Sequence, residues 1–186
     1  MPTKPPLPTK SRLAAKPRVP TRPGRSSKRV VQLVTAILED YAARGVFRGF
    51  SSGPPENGIA LFRMVWHYDR QVALLLDTRK KTLSFPALLP AVQANSVMYQ
   101  DLKSFIASRH SEELPDHRRI DPAKARLRNA NRRGTISLTI TLNDGDFEYA
   151  ARKLIHTVHE IFLTFLVEGP YYEYMVEHLG LEQDKY

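Results

Sequence analysis

The first acidic residue of the chain is Glu39, and before it come nine Lys or Arg and seven of the fourteen prolines. Proline fixes φ and removes an amide donor, so this density opposes regular helix or sheet. Unopposed cations in a stretch poor in apolar residues keep it extended and hydrated. Residues 30–186 hold nineteen basic and nineteen acidic residues, so the whole formal charge of +9 belongs to the start of the chain. The sequence therefore divides into a disordered, basic, proline-rich tail over 1–26 and a single domain over 27–186. A segment of that second size is ample for one buried core.

There is no cysteine, which excludes a thiolate nucleophile, a disulfide framework and any Cys-ligated metal. The longest apolar runs, at 72–76 and 161–167, are far shorter than the ~18 residues of a membrane span. A cytoplasmic protein without a membrane span is the expectation, and no motif calls for a cofactor.

The tail offers two kinds of binding. Pro-x-aliphatic-Pro-x-basic occurs at 5–10 and again at 17–22. This pattern resembles ligands of SH3 domains, in which prolines fill aromatic slots and the final cation meets acidic residues. The second kind is electrostatic. Lys4, Lys10, Arg12, Lys16, Arg18, Arg22, Arg25, Lys28 and Arg29 can displace counterions from a nucleic acid or other polyanion without reading its sequence.

In the domain, apolar residues at helical spacing (Val30, Val34, Ile37, Leu38, Tyr41) predict a helix from Ser26 or Ser27 up to Gly45. A short strand is expected at 46–50. Alternation then predicts a strand over 59–68, and the apolar run 71–77 a central partner. A further strand is expected over 82–85, with Pro86 and Pro90 ending this antiparallel meander. Ser96 can cap a helix reaching about His110, and a basic connector over 111–133 contains an edge strand at 124–129. Thr135 to Leu142 alternates polar and apolar without a fault, as a half-buried strand must. Asp146 can cap an amphipathic helix over 147–167, after which Gly169-Pro170 breaks the chain before a last short helix.

The sum is an α+β domain, with an antiparallel sheet of about five or six strands and helices layered on it. Over residues 27–168 this element order resembles that of type III secretion chaperones and the small bacterial regulator-like proteins sharing their fold. The final helix pair departs from that pattern. The resemblance lies in the order of elements and assigns no functional positions.

Two groupings could carry chemistry. His117 with Arg118 and Arg119, next to Asp116, could orient a base and clamp a phosphate or carboxylate in a hydrolase or transferase; the same residues also make a solvated, salt-bridged loop. His156, His159 and Glu160 have the helical spacing of metal ligands, although one solvated histidine and one at the border of the apolar side is the favoured reading. No phosphate-cradling glycine loop or nucleophile elbow occurs.

The leading expectation is thus a non-enzymatic interaction domain, adaptor-like, chaperone-like or regulatory, that meets a protein partner or a second copy of itself. Tyr171, Tyr172 and Tyr174 supply interface material. A nucleic-acid-associated protein is the alternative. In that case the tail would be helped by Arg126, Arg128, Arg132 and Arg133, since residues 109–133 carry a net +4 while residues 134–186 carry −6.

Overall fold

Every apolar residue of Thr135–Leu142 sits at an even position, and in the computed structural model Ile136, Leu138, Ile140 and Leu142 are all buried. The same one-sided alternation runs through the neighbouring strands. Ala60, Phe62, Met64 and Trp66 are buried in β2 (Ile59–Trp66), and Val72, Leu74 and Leu76 in β3 (Arg70–Asp77). A period of two sends these side chains to one face, which must be covered by something apolar. Helices cover it.

The structure describes residues 24–181. The tail positions Lys4, Lys10, Arg12, Lys16, Arg18 and Arg22 lie outside them. Helix α1 (Gly24–Ala43) starts a few residues earlier than expected and leads to the short strand β1 (Arg48–Ser52). Strands β2, β3 and β4 (Thr82–Leu89) form the meander, followed by α2 (Val97–Ser108), β5 (Ala125–Arg132) and β6 (Thr135–Leu142). Helix α3 (Phe147–Glu160) passes directly into a π-helical segment, Ile161–Val167. A final turn, α4 (Tyr172–Tyr174), continues as a second π-helical segment, Met175–Leu179.

The six strands form one antiparallel sheet in the order β1-β2-β3-β4-β6-β5. On the apolar face α1 lies over β1 and against α3, α3 over β4 and β6, and α2 over β5. One continuous core results, with Phe62, Phe85 and Phe162 among its largest buried side chains. The expected caps are present: Ser96 accepts from the Tyr99 amide and Asp146 from the Tyr149 amide. Among the described residues no helix is long and apolar enough to cross a membrane.

Three local expectations are corrected. The strand after β3 does not stop at Pro86, because β4 continues to Leu89. Its pairing with β6 shifts between Phe85 and Leu89, and Pro86 falls within that irregularity, where a missing amide donor is tolerated. Arg70 donates to the Leu88 carbonyl (3.0 Å) beyond the last paired residues of β3 and β4. The edge strand is longer than 124–129 and includes Arg132. The helix over 147–167 is α-helical only as far as Glu160, and the turns widen where that carboxylate is drawn inward.

Phe62 is fully buried and its ring stacks on Phe50 at 6.1 Å. Phe62→Ala should therefore lower stability by about 3–5 kcal/mol, the cost of lost transfer energy plus an unfilled cavity. Urea denaturation should show a lower midpoint with an unchanged slope.

Candidate functional site

Both groupings singled out in the sequence meet at a single carboxylate. Glu160 lies on the last turn of α3 with its side chain 7% exposed. Arg109, immediately beyond α2, donates through Nη1 to Glu160 Oε2 at 2.8 Å. Arg118, from the connector, donates through Nε to Oε1. The end of α2 and the connector are thereby both tied to α3, 51 and 42 residues further along the chain. Burial alone would push the Glu160 carboxyl up; the neighbouring His156 and the bonds from Arg109 and Arg118 outweigh it and hold the pKa at about 2.

The surroundings complete a scaffold for the connector. Lys153 Nζ donates to the carbonyls of Asp116 (2.5 Å) and His117 (3.0 Å). Asp116 pairs with Arg119 at 3.2 Å, so the carboxylate that could have oriented His117 is engaged elsewhere. The exposed His117 ring stands edge-on to His156, with centroids 6.2 Å apart. Arg109 also packs over the Phe105 ring at 4.2 Å and donates to the Ser108 hydroxyl. A base needs a free lone pair near a bound reactant. Here the carboxylate is fully engaged by guanidiniums, and the arrangement holds structure together.

The proposed metal-ligand spacing of His156, His159 and Glu160 does not converge. Glu160 faces the arginines, whereas His159 faces His67 of the β2–β3 turn, with ring centroids 5.4 Å apart. Among the described residues no group of three or more His, Asp or Glu side chains is gathered for a metal ion.

A turn is expected at 69–70, but β2 ends at Trp66 and the turn takes in His67 and Tyr68, with a conformation that gave no signal in the sequence. His67, Tyr68 and Asp69 all have positive φ, at 28°, 55° and 54°, a run that costs free energy at each non-glycine position. The His67 ring is stacked on Phe162 (4.1 Å) and on Trp66 (4.8 Å). Its buried Nε2 atom has no hydrogen-bond partner among the described residues. Burial, with the nearby His159 as a lesser cause, lowers the His67 pKa to about 4. Aromatic stacking thus holds this turn against the start of the π-helical segment.

Of the three tyrosines expected at an interface, two turn inward. The Tyr171 hydroxyl donates to Asp101 and its ring packs on Phe165 at 4.8 Å. The Tyr174 hydroxyl donates to the Pro90 carbonyl at 2.7 Å. Tyr172 alone remains exposed. Gly169 permits this turn, since a Cβ there would lie 2.2 Å from the Phe165 carbonyl oxygen.

The arginines behave differently. Arg126, Arg128 and Arg132 alternate outward along the edge strand β5, opposite Thr141, Thr139 and Thr135 of β6. All three are exposed, as is Arg133 in the turn that follows. The ion pairs among the described residues engage none of these four. Arg126, Arg128 and Arg132 stand on the sheet face opposite the helices. Lys28 and Arg29 are exposed on the first turns of α1, where Arg25 also lies.

Two acid-sensitive steps follow from this geometry. His67 is held neutral in the fold (pKa about 4, against 6.5 for the free side chain), so the unfolded chain binds the extra proton. Stability should fall as pH drops from about 6.5 to about 4. His67→Asn, which tolerates positive φ but does not titrate, should flatten that part of a melting-temperature profile. Glu160 acts lower down, its contribution being lost as pH falls from 4.5 toward about 2. Glu160→Ala should cost about 3–5 kcal/mol at neutral pH by leaving Arg109 buried and unpaired. The Arg109→Met, Glu160→Leu double variant should recover a large part of that loss in a denaturant cycle. Comparison with family models, curated proteins and solved structures yields no match to this chain.

Proposed function

We propose that this is a non-enzymatic interaction domain that binds nucleic acid through the phosphate backbone. The observation that carries the proposal is the row Arg126, Arg128 and Arg132 on the bare face of the sheet, exposed and unengaged by any described ion pair. Outward residues two apart on a strand are spaced by roughly 6.6–6.8 Å, so the row extends over ~20 Å. Beside it stand hydroxyls, Thr139 and Thr141 on β6 with Ser84 and Thr82 on β4. Guanidiniums and hydroxyls are the side chains that position a protein on phosphates and sugars. The nine cations of residues 1–29 add charge of the same sign.

Of the competing catalytic grouping, Arg118 bonds the Glu160 carboxylate and Asp116 pairs with Arg119, which leaves the exposed His117 without an orienting carboxylate among the described ion pairs. Two acidic residues of the C-terminal region are kept from the row. Glu148 pairs with Arg152 and Glu160 is buried, both on the helical side of the sheet. Backbone binding of this kind carries little sequence preference and depends steeply on salt.

Titration of the full chain with random-sequence duplex DNA at two salt concentrations tests this. The Arg126→Ala, Arg128→Ala, Arg132→Ala variant should bind about tenfold or more weakly at low salt, with a log–log salt slope shallower by roughly 2.7. The three side chains are exposed, so the melting temperature should stay within a few degrees of the parent's. Absence of binding by the intact chain at low salt would refute the proposal.

A further inference from the structure

The tail joins the domain at a specific place. The Thr78 hydroxyl donates to the Gly58 carbonyl at 2.9 Å and shares a hydrogen bond with the Ser27 hydroxyl at 3.1 Å. This holds the first turns of α1 against the β3–β4 turn, beside a cavity of about 280 Å³ lined by Ser27, Lys28, Asn57, Gly58 and Arg79. The turn itself reads Arg79-Lys80-Lys81, three exposed cations in succession. Arg79 enters no described ion pair, and Lys80 reaches Asp77 only at 3.7 Å. Lys81 Nζ donates to the Asn143 carbonyl at 3.3 Å and keeps two further donors.

The same turn stands at the Arg126 end of the bare sheet face. Thr82, the first residue after it, pairs with Thr141, and Thr141 pairs with Arg126. Two strand spacings separate Thr82 from Arg126, roughly 10 Å. Exposed basic residues therefore stand at the start of α1 (Lys28), in this turn and along the β5 row, with Asp77 and the exposed Asp144 as the acidic residues beside the turn.

Across the face itself, the outward positions of β3, β4 and β6 include Ala73, Leu75, Thr82, Ser84, Thr139 and Thr141. No outward strand position is aromatic. Single-stranded nucleic acid is held chiefly by bases stacked on aromatic rings, and this face offers none. A duplex keeps its bases stacked on each other and presents phosphates on both sides of each groove.

We infer that Arg79, Lys80 and Lys81, together with Arg126, form a phosphate-backbone site for double-stranded nucleic acid, continuous with the tail. The inference rests on the nucleic-acid reading above and adds to it a second set of contacts and a preference for duplex. The turn and the β5 row then act as one surface, and the Thr78–Ser27 contact fixes the start of α1, with Lys28, beside it.

The test uses the full chain with four probes of one random sequence: DNA duplex, RNA duplex and each corresponding single strand. A duplex of either kind should bind more tightly than its own single strands; which duplex does so names the source. Arg79→Ala, Lys80→Ala, Lys81→Ala should weaken duplex binding by about tenfold and reduce the salt slope by roughly 2.7. Arg79→Glu alone leaves the Lys80–Asp77 pair and the Lys81–Asn143 bond in place, and should shift binding in the same direction. Single strands that bind as tightly as duplexes, or a salt slope unchanged in both variants, would overturn the inference and leave the β5 reading standing. If the intact chain binds none of the probes, both fall together.

Discussion

Everything in this domain depends on a sheet that is apolar on one face only. The alternation along β2, β3 and β6 commits four or so side chains per strand to the same side, and burying each stabilises the fold by roughly 1.5–3 kcal/mol. Three helices are drawn to that side because their own apolar stripes have nowhere else to go. The opposite face then receives no cover from the described chain. Over β4, β5 and β6 its Arg, Thr and Ser residues tolerate water, while over β2 and β3 the same face carries Ile59, Leu61, Val65 and Leu75 beside Arg63. The core and the proposed binding surface are two consequences of one pattern.

The second constraint is ionic. The connector between α2 and β5 is polar and contributes little to the core, yet it is not loosely attached. Arg118 and Lys153 fasten it to α3, and Arg109 joins the end of α2 to the same carboxylate. A carboxylate buried with two guanidiniums is weak as a source of net stability, because desolvation offsets much of the attraction. Its value lies in geometry, since only one placement of the connector satisfies all three charges. That placement leads the chain into β5, with its arginines turned outward.

The β2–β3 turn shows a different balance. Three successive residues with positive φ and an unsatisfied imidazole nitrogen are unfavourable locally. The stack of His67 between Trp66 and Phe162 offsets that cost. Burial favours the neutral ring, so mild acid weakens this corner of the fold.

The α+β class, an antiparallel sheet of about five or six strands, the caps Ser96 and Asp146 and the inward face of β6 were legible in the sequence, because periodicity and capping are local. The course of β4 through Pro86 was not, since a proline is excluded from a strand unless the register of a neighbour makes room for it. Arg109 gave no signal at all: one arginine after a helix becomes a buried partner only when α3 brings Glu160 to it. Nor did His117 or His159 reveal their surroundings, because spacing along a helix says which side chains share a side and not what faces them. The sequence by itself determined composition, periodicity and the position of charge. Tertiary structure alone decided which charges are consumed in pairs and which remain on a bare face, because strand register and helix packing set distances between residues that sequence separation cannot fix.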